Sequence, residues 1–261
     1  MNTSVTGNGP VKILFIHGWL EAGYIYTDFA QKLDNVEITA VTLPGYGKTE
    51  CKYTKWETIL DDYLYELHSI IENGNFDIIF GHSMGGVLTL KLLDFYGEMG
   101  LENVYLCNPV YGEIKFLRNF DSNKRIFARY FRIKDILPVK ISRALSYPAS
   151  LIANTKIKYV NKLFIDAIMD ADFETSLICA KALANNEWRL QKNKFNTSIK
   201  IFISGKDRIV LDENRNLLKK DLSAEFIYYE DNGHSLINEI GNEILEIMQS
   251  DINTIVKEKK L

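Results

Sequence analysis

The sequence predicts an α/β fold in which a mostly parallel sheet is flanked by helices. Short apolar segments typical of buried strands, such as VKILFI at 11–16 and FDIIF at 76–80, alternate with segments whose apolar residues recur at helical spacing. This alternation is typical of parallel sheets whose strands are joined through helices. Functional sites of such sheets lie at the carboxyl ends of the strands. The residues that follow each strand are therefore the first candidates for function.

Six strands and four core helices are expected from these patterns. The strand segments are 11–18, 36–43, 76–80, 104–109, 199–205 and 225–231. The helical segments are 56–72, 87–95, 213–220 and a last one that starts near 238.

One long stretch interrupts the alternation. Residues 109–197 have little strand signal, contain several helical patterns and are broken by Pro138 and Pro148. A connection of this length greatly exceeds an ordinary crossover. The sequence therefore predicts a core of residues 1–108 and 198–261 with a helical cap inserted at 109–197. The alternative is that this stretch belongs to the layers of the core.

Composition indicates an ordinary globular protein. The chain has 261 residues, of which 46% are hydrophobic and 25% charged. It lacks the pattern of a signal peptide or an apolar run of membrane-spanning length, so we expect a cytoplasmic protein without a membrane span. Cys51, Cys107 and Cys179 are far apart and odd in number, which indicates reduced thiols. Their spacing is not that of metal ligands, and the serine chemistry considered below needs neither a metal nor another cofactor.

The segment GHSMGG at 81–86 carries the strongest chemical signal. It joins a predicted strand to a predicted helix and so places Ser83 at the tip of a tight turn. Gly81 and Gly85 suit such a turn because a Cβ atom at either position would clash. This G-x-S-x-G pattern is that of a nucleophile elbow, which exposes the serine hydroxyl. The alternative is a glycine-rich connector with an unreactive serine.

A serine nucleophile needs a general base, and the chain offers four histidines. His17 belongs to the turn after the first strand, His68 to a helical pattern, and His82 to the elbow, where its side chain is expected to point elsewhere. His234 lies in the loop DNGHSL after the last strand. It is therefore the histidine best placed to reach a strand end.

An acid must orient that base and stabilise its protonated form. Asp207, in the segment SGKDRIV, follows a strand and occurs between the serine and the histidine in the chain. The order Ser83, Asp207, His234 is that expected of a triad on an α/β sheet. A lone aspartate in a loop can instead be a turn former.

Two backbone amides are candidates for stabilising a developing oxyanion. The amide of Met84 follows the nucleophile at the start of a helix. The amide of Trp19, in the loop HGWLEAG, follows the first strand. The Trp19 indole could line the pocket or belong to the core.

These motifs together resemble the α/β-hydrolase superfamily along nearly the whole chain. The matching segments are HGW at 17–19, PGYGKT at 44–49, GHSMGG at 81–86, DRIV at 207–210 and NGHS at 232–235. The resemblance implies Ser83 as nucleophile, His234 as base and Asp207 as acid, with the Trp19 and Met84 amides as oxyanion donors and a helical cap.

The sequence departs from the superfamily pattern in two places. Only ten residues precede the first strand, which is short for an opening hairpin and predicts a sheet shortened at one edge. The acid motif G-K-D is one residue shorter than usual, which leaves Asp231 as an alternative acid.

Within the superfamily, the chain is most similar to serine esterases, in particular the pimeloyl-acyl-carrier-protein methyl ester esterases of biotin synthesis. These share the HGW turn, the PGxG loop and a helical cap. A serine nucleophile argues against dehalogenases and epoxide hydrolases, and Val87 against the menaquinone-pathway enzymes, which normally have arginine there. The alternatives are an acyl thioesterase, a general small-ester carboxylesterase and a binding protein that has lost catalysis.

Charge suggests what substrate such an enzyme would take. The whole chain has a net charge of −3, whereas residues 109–197 contain 16 basic and 8 acidic residues. Arg125, Arg129 and Arg132 belong to the densest part of this excess and alternate with aromatic residues. One interpretation is a solvated helical face without a partner. The other, more specific one is a surface that docks an acidic acyl carrier protein bearing the acyl ester. Nucleic acid is not expected, given the acidic remainder.

Overall fold

The computed structural model describes residues 1–27, 31–118 and 162–259. Its strands are β1 Asn2–Gly7, β2 Val11–Ile16, β3 Val36–Thr42, β4 Ile78–His82, β5 Asn103–Cys107, β6 Ser198–Ser204 and β7 Glu225–Tyr229. Its α-helices are α1 Ile59–Gly74, α2 Met84–Tyr96, α3 Lys115–Arg118, α4 Lys162–Asp170, α5 Phe173–Ala184, α6 Asp212–Asp221 and α7 Leu236–Glu258.

The strands form one seven-stranded sheet in the order β1-β3-β2-β4-β5-β6-β7. Every neighbouring pair is parallel except β1 and β3. The predicted fold class, a mostly parallel sheet with flanking helices, is therefore confirmed. Because β2 to β7 run in one direction, their carboxyl ends share one edge, and the loops that follow them converge there.

The six strands expected from the sequence leave out β1. The first ten residues supply this single strand, which pairs antiparallel with β3 and forms one edge of the sheet. A single strand in place of an opening hairpin agrees with the expectation that the sheet is shortened at that edge. Most side chains of β1 are exposed, so β1 has no buried face. It consequently lacks the apolar alternation by which a strand is recognised in a sequence.

Helices cover both faces of the sheet, which explains the continuous apolar runs of its central strands. In β2, Ile13 and Phe15 pack in a cluster with α7, whereas Leu14 and Ile16 pack in a second cluster with α1 and α2. All four side chains are fully buried. The neighbouring strand β4 pairs with β2 and ends at His82, directly before Ser83.

The described part of the predicted cap consists of residues 109–118 and 162–197, and it contains helices but no strand. Asp172 is the N-cap residue of helix α5, and its side chain accepts from the Thr175 amide at 2.8 Å. The helix packs close to the PGYGKT loop, where a Cβ on Gly45 would lie 2.3 Å from Thr175. The division of the chain into core and cap remains a prediction.

Two further properties concern the chain as a whole. Among the described helices, none combines the length and the apolar character needed to cross a membrane. The three cysteines are free, with Cys107 and Cys179 buried and Cys51 partly exposed.

Candidate active site

The elbow is a strained turn between β4 and α2. Ser83 has φ 52° and ψ −110°, a left-handed conformation that is unusual for a residue with a side chain. A Cβ on Gly85 would lie 2.1 Å from the carbonyl oxygen of Ile16, and one on Gly81 would lie 2.7 Å from that of Gly85. A side chain at either position would therefore clash with the backbone, as the sequence predicted for both glycines.

His234 lies between Ser83 and Asp207. Its Nε2 is 2.9 Å from Ser83 Oγ, and its Nδ1 is 2.7 Å from Asp207 Oδ2. Because the carboxylate can only accept, Nδ1 carries a proton, and Nε2 is left to accept from the serine hydroxyl. All three side chains are buried. The structure therefore brings together the three residues that the sequence singled out.

The acid loop holds Asp207 by its second oxygen. Asp207 Oδ1 accepts from the amides of Ile209 at 2.8 Å and Val210 at 3.0 Å. The alternative acid, Asp231, is 81% exposed and forms an ion pair with Lys206 at 2.6 Å. The shortened G-K-D motif thus still delivers Asp207 to His234, while Asp231 faces solvent.

The two candidate oxyanion donors lie in segments next to the serine. Met84 is the first residue of α2, so its amide has no acceptor within the helix. A Cβ on Gly18 would lie 3.1 Å from Ser83 Cβ, which places Gly18, the residue before Trp19, beside Ser83. The Trp19 indole donates to the carbonyl of Ser176 in α5 at 2.9 Å. The side chain thus joins the loop after β2 to α5 and is partly buried against the core.

The backbone of the base loop is held by buried polar groups. The His234 carbonyl accepts from Asn108 Nδ2 at 2.8 Å and faces His82 Nε2 at 3.2 Å. Asn108 also accepts from the Ser204 amide, and Ser204 donates to the Gly233 carbonyl at 2.6 Å. Residues at the carboxyl ends of β4, β5 and β6 therefore fix the position of the histidine.

A buried ion pair beside the triad was not predicted from the sequence. Glu21 and His82 are 2% and 1% exposed, and the carboxylate lies 2.9 Å from His82 Nδ1. Burial alone would raise the pKa of Glu21, but the charge and hydrogen bond of His82 lower that pKa to about 2. Burial alone would lower the pKa of His82, yet Glu21 raises it above its ordinary value. The expectation that the His82 side chain points away from the nucleophile is met, and Glu21 is what it points to.

His17 is neutral and structural. Its Nδ1 donates to the Gly18 carbonyl at 2.7 Å, and its Nε2 accepts from the Leu43 amide at 3.0 Å. Burial lowers the pKa of His17 to about 4. His68 lies on α1, away from these contacts, and its ring stacks on the ring of Tyr96 in α2.

Other predicted features lie outside these contacts. Arg125, Arg129 and Arg132 fall in 119–161, outside the described residues. Across residues 1–27, 31–118 and 162–259, no three His, Cys, Asp or Glu side chains are grouped closely enough to hold a metal ion.

Comparison with known proteins agrees with this architecture. The chain belongs to the alpha/beta hydrolase family, whose model matches residues 13–239. A search of curated protein sequences finds no match.

Solved structures resemble the chain along nearly its full length. An esterase from Exiguobacterium antarcticum (EaEST) superposes with a TM-score of 0.75 at 17% identity, over 96% of this chain and 94% of that one. A bromoperoxidase from Bacillus anthracis gives 0.76, also at 17% identity, over 96% and 94%. MenH from S. aureus gives 0.66 at 16% identity over 99% of both chains. At such identities the likeness shows the fold, and the different names show that the fold alone does not select a substrate.

Proposed function

We propose that this protein is a serine hydrolase that cleaves carboxylic esters. The observation that supports it most is His234, which lies within hydrogen-bond distance of both Ser83 and Asp207. A serine, a base and an orienting acid in this arrangement are the parts that nucleophilic acyl transfer requires. Loss of catalysis, the alternative weighed from the sequence, would leave no reason to retain all three contacts in a buried site.

The reaction follows from the direction of each hydrogen bond. As Ser83 Oγ attacks the ester carbonyl, His234 Nε2 takes the hydroxyl proton, and Asp207 stabilises the resulting imidazolium. The Trp19 and Met84 amides bind the developing oxyanion, each donor contributing roughly 3 kcal/mol of transition-state stabilisation. His234 then protonates the leaving alcohol. A water molecule repeats the attack on the acyl-enzyme, releases the acid and restores the serine.

Replacing Ser83 with alanine tests this proposal. Hydrolysis of a p-nitrophenyl acyl ester should fall by a factor on the order of a million, and labelling by a fluorophosphonate should disappear. Ser69→Ala, an exposed serine on α1, is the matched control and should retain both. Residual turnover of Ser83→Ala within about tenfold of the parent would refute the assignment.

For the substrate, we propose an acyl methyl ester carried by an acyl carrier protein, as in biotin synthesis. The support is the resemblance of the HGW and PGxG segments and the basic excess of residues 109–197. A basic surface near the site would dock an acidic carrier that delivers its acyl chain on a long arm. A series of free and carrier-bound esters and thioesters of increasing chain length tests this against a thioesterase or a general carboxylesterase.

Charge reversal tests the docking directly. Changing Arg125, Arg129 and Arg132 to glutamate should slow hydrolysis of carrier-bound ester at low salt and leave small free esters nearly unaffected. Raising the salt should shrink the difference, because screening weakens docking in the parent. The control is the same change at three exposed lysines outside 109–197, Lys219, Lys220 and Lys257. Equal losses in both triples, or none in the first, would contradict docking at the cap.

A further inference from the structure

The buried pair of Glu21 and His82 connects the loops that carry the parts of the site. Glu21 Oε2 accepts from the Gly18 amide at 2.7 Å, from the Tyr26 hydroxyl at 2.8 Å and from His82 Nδ1 at 3.0 Å. Gly18 directly precedes Trp19. The carboxylate therefore fixes the backbone that presents one of the candidate oxyanion donors.

The other side of the pair reaches the base. His82 directly precedes Ser83, and its Nε2 faces the His234 carbonyl at 3.2 Å. Since both ring nitrogens of His82 face acceptors, each must carry a proton, and the ring is an imidazolium. A carboxylate and an imidazolium buried together form a pair with no net charge.

We propose that Glu21 and His82 are positioning residues for ester hydrolysis, which hold the Trp19 loop and the His234 backbone in register with Ser83. This rests on the proposed function, since it assigns the pair a role in that reaction. A buried ion pair is a poor source of stability, because desolvation of the charges offsets their attraction. Its value here lies in joining three segments of chain whose relative placement the reaction depends on.

The Glu21–His82 pair also determines the net charge next to His234. The rings of His82 and His234 have centroids 5.2 Å apart. With both partners present their opposite charges cancel beside the base. The titratable groups that face His82 are Glu21 and Asp207, with His17, His234, Tyr26 and Cys107 close to the pair.

Three variants test the proposal: His82→Gln, Glu21→Gln and the double variant. In His82→Gln, kcat should fall roughly 10- to 100-fold, as expected for misplaced reacting groups, with KM changed less than about threefold. In the double variant kcat should stay as low as in His82→Gln. Glu21→Gln should lower kcat less, because a neutral His82 can still donate to the His234 carbonyl.

A matched control separates positioning from loss of a buried hydrogen bond. Tyr105→Phe removes a buried hydroxyl that donates to Asp251 at 2.5 Å, away from the site. It should lower the melting temperature without changing kcat. The proposal is wrong if His82→Gln keeps kcat within about threefold of the parent, or if KM changes as much as kcat does.

A second measurement tests the Glu21–His82 pair independently of the proposed reaction. Nitrogen-15 NMR of the parent should show both ring nitrogens of His82 protonated at pH 7 and above, whatever the protein hydrolyses. A neutral His82 there would overturn the inference even if no variant folded. A doubly protonated His82 in a protein that no fluorophosphonate labels would instead count against ester hydrolysis, and with it against a role in that reaction.

Discussion

Replacing Asp207 with asparagine should nearly abolish turnover while leaving the loop in place. The new amide oxygen can still accept from the Ile209 and Val210 amides, as Asp207 Oδ1 does now. The amide NH₂ would then face His234 Nδ1, which must become an acceptor. The proton moves to Nε2, where it prevents His234 from taking the proton of Ser83. In a Ser-His-Asp protease this substitution lowers kcat by about 10⁴, equivalent to about 5.5 kcal/mol, and we expect a loss of that order.

Asp231→Asn supplies the matched control. It makes the same chemical change three residues from His234, but on an 81% exposed side chain that pairs with Lys206. An exposed pair of this kind contributes at most about 1 kcal/mol of stability, so turnover should stay within about twofold. The assay is steady-state hydrolysis of a p-nitrophenyl ester across pH, with thermal melting as a check on folding. If Asp231→Asn loses activity and Asp207→Asn retains it, the acid has been misassigned.

Two further predictions concern stability. Gly85→Ala should lower the free energy of unfolding in urea by at least about 3 kcal/mol, because its Cβ would meet the Ile16 carbonyl oxygen at 2.1 Å. Gly97→Ala, at φ 81° and with no atom within 4 Å of the added Cβ, should lower it by about 1–2 kcal/mol. Equal losses in the two variants would contradict the clash. Between pH 6.5 and 4, the free energy of unfolding of the parent should fall by on the order of 3 kcal/mol more than that of His17→Gln. The reason is that the unfolded chain protonates His17 at its ordinary pKa, whereas the folded chain does so only at a pKa of about 4. Urea unfolding at several pH values measures this, and parallel stability curves for the two proteins would rule it out.

The sheet and the contacts that join Ser83, His234 and Asp207 could be predicted from the sequence because both leave local patterns. Buried strands such as β2 are apolar on both faces, and the elbow needs glycines at fixed positions around Ser83. The acid and the base follow strands in a set order, so their meeting depends only on the topology. The choice between Asp207 and Asp231 needed coordinates, since both lie in loops at the same edge of the sheet.

What could not be predicted depends on partners distant in the chain. β1 has no buried face, so only its pairing with β3 makes it a strand. Glu21 and His82 are 61 residues apart, and each alone looks like an ordinary polar residue of a loop or a strand end. A charged residue three positions after Gly18, in an otherwise apolar loop, is the one signal that could have drawn attention to the pair.

The strained serine depends on the same neighbours that complete the site. A residue with a side chain in the conformation of Ser83 costs about 1–3 kcal/mol and persists only where its surroundings enforce it. Its amide donates to the Cys107 carbonyl at 2.9 Å, and its carbonyl accepts from the Val110 amide at 3.1 Å, so β5 and the segment after it hold both sides of the turn. Gly85 packs closely on the end of β2, so the turn has no room to relax on that side either. Because β2 also leads into the Trp19 loop and β5 into Asn108, the contacts that strain Ser83 are made by the segments that place the candidate oxyanion donor Trp19 and the proposed base His234.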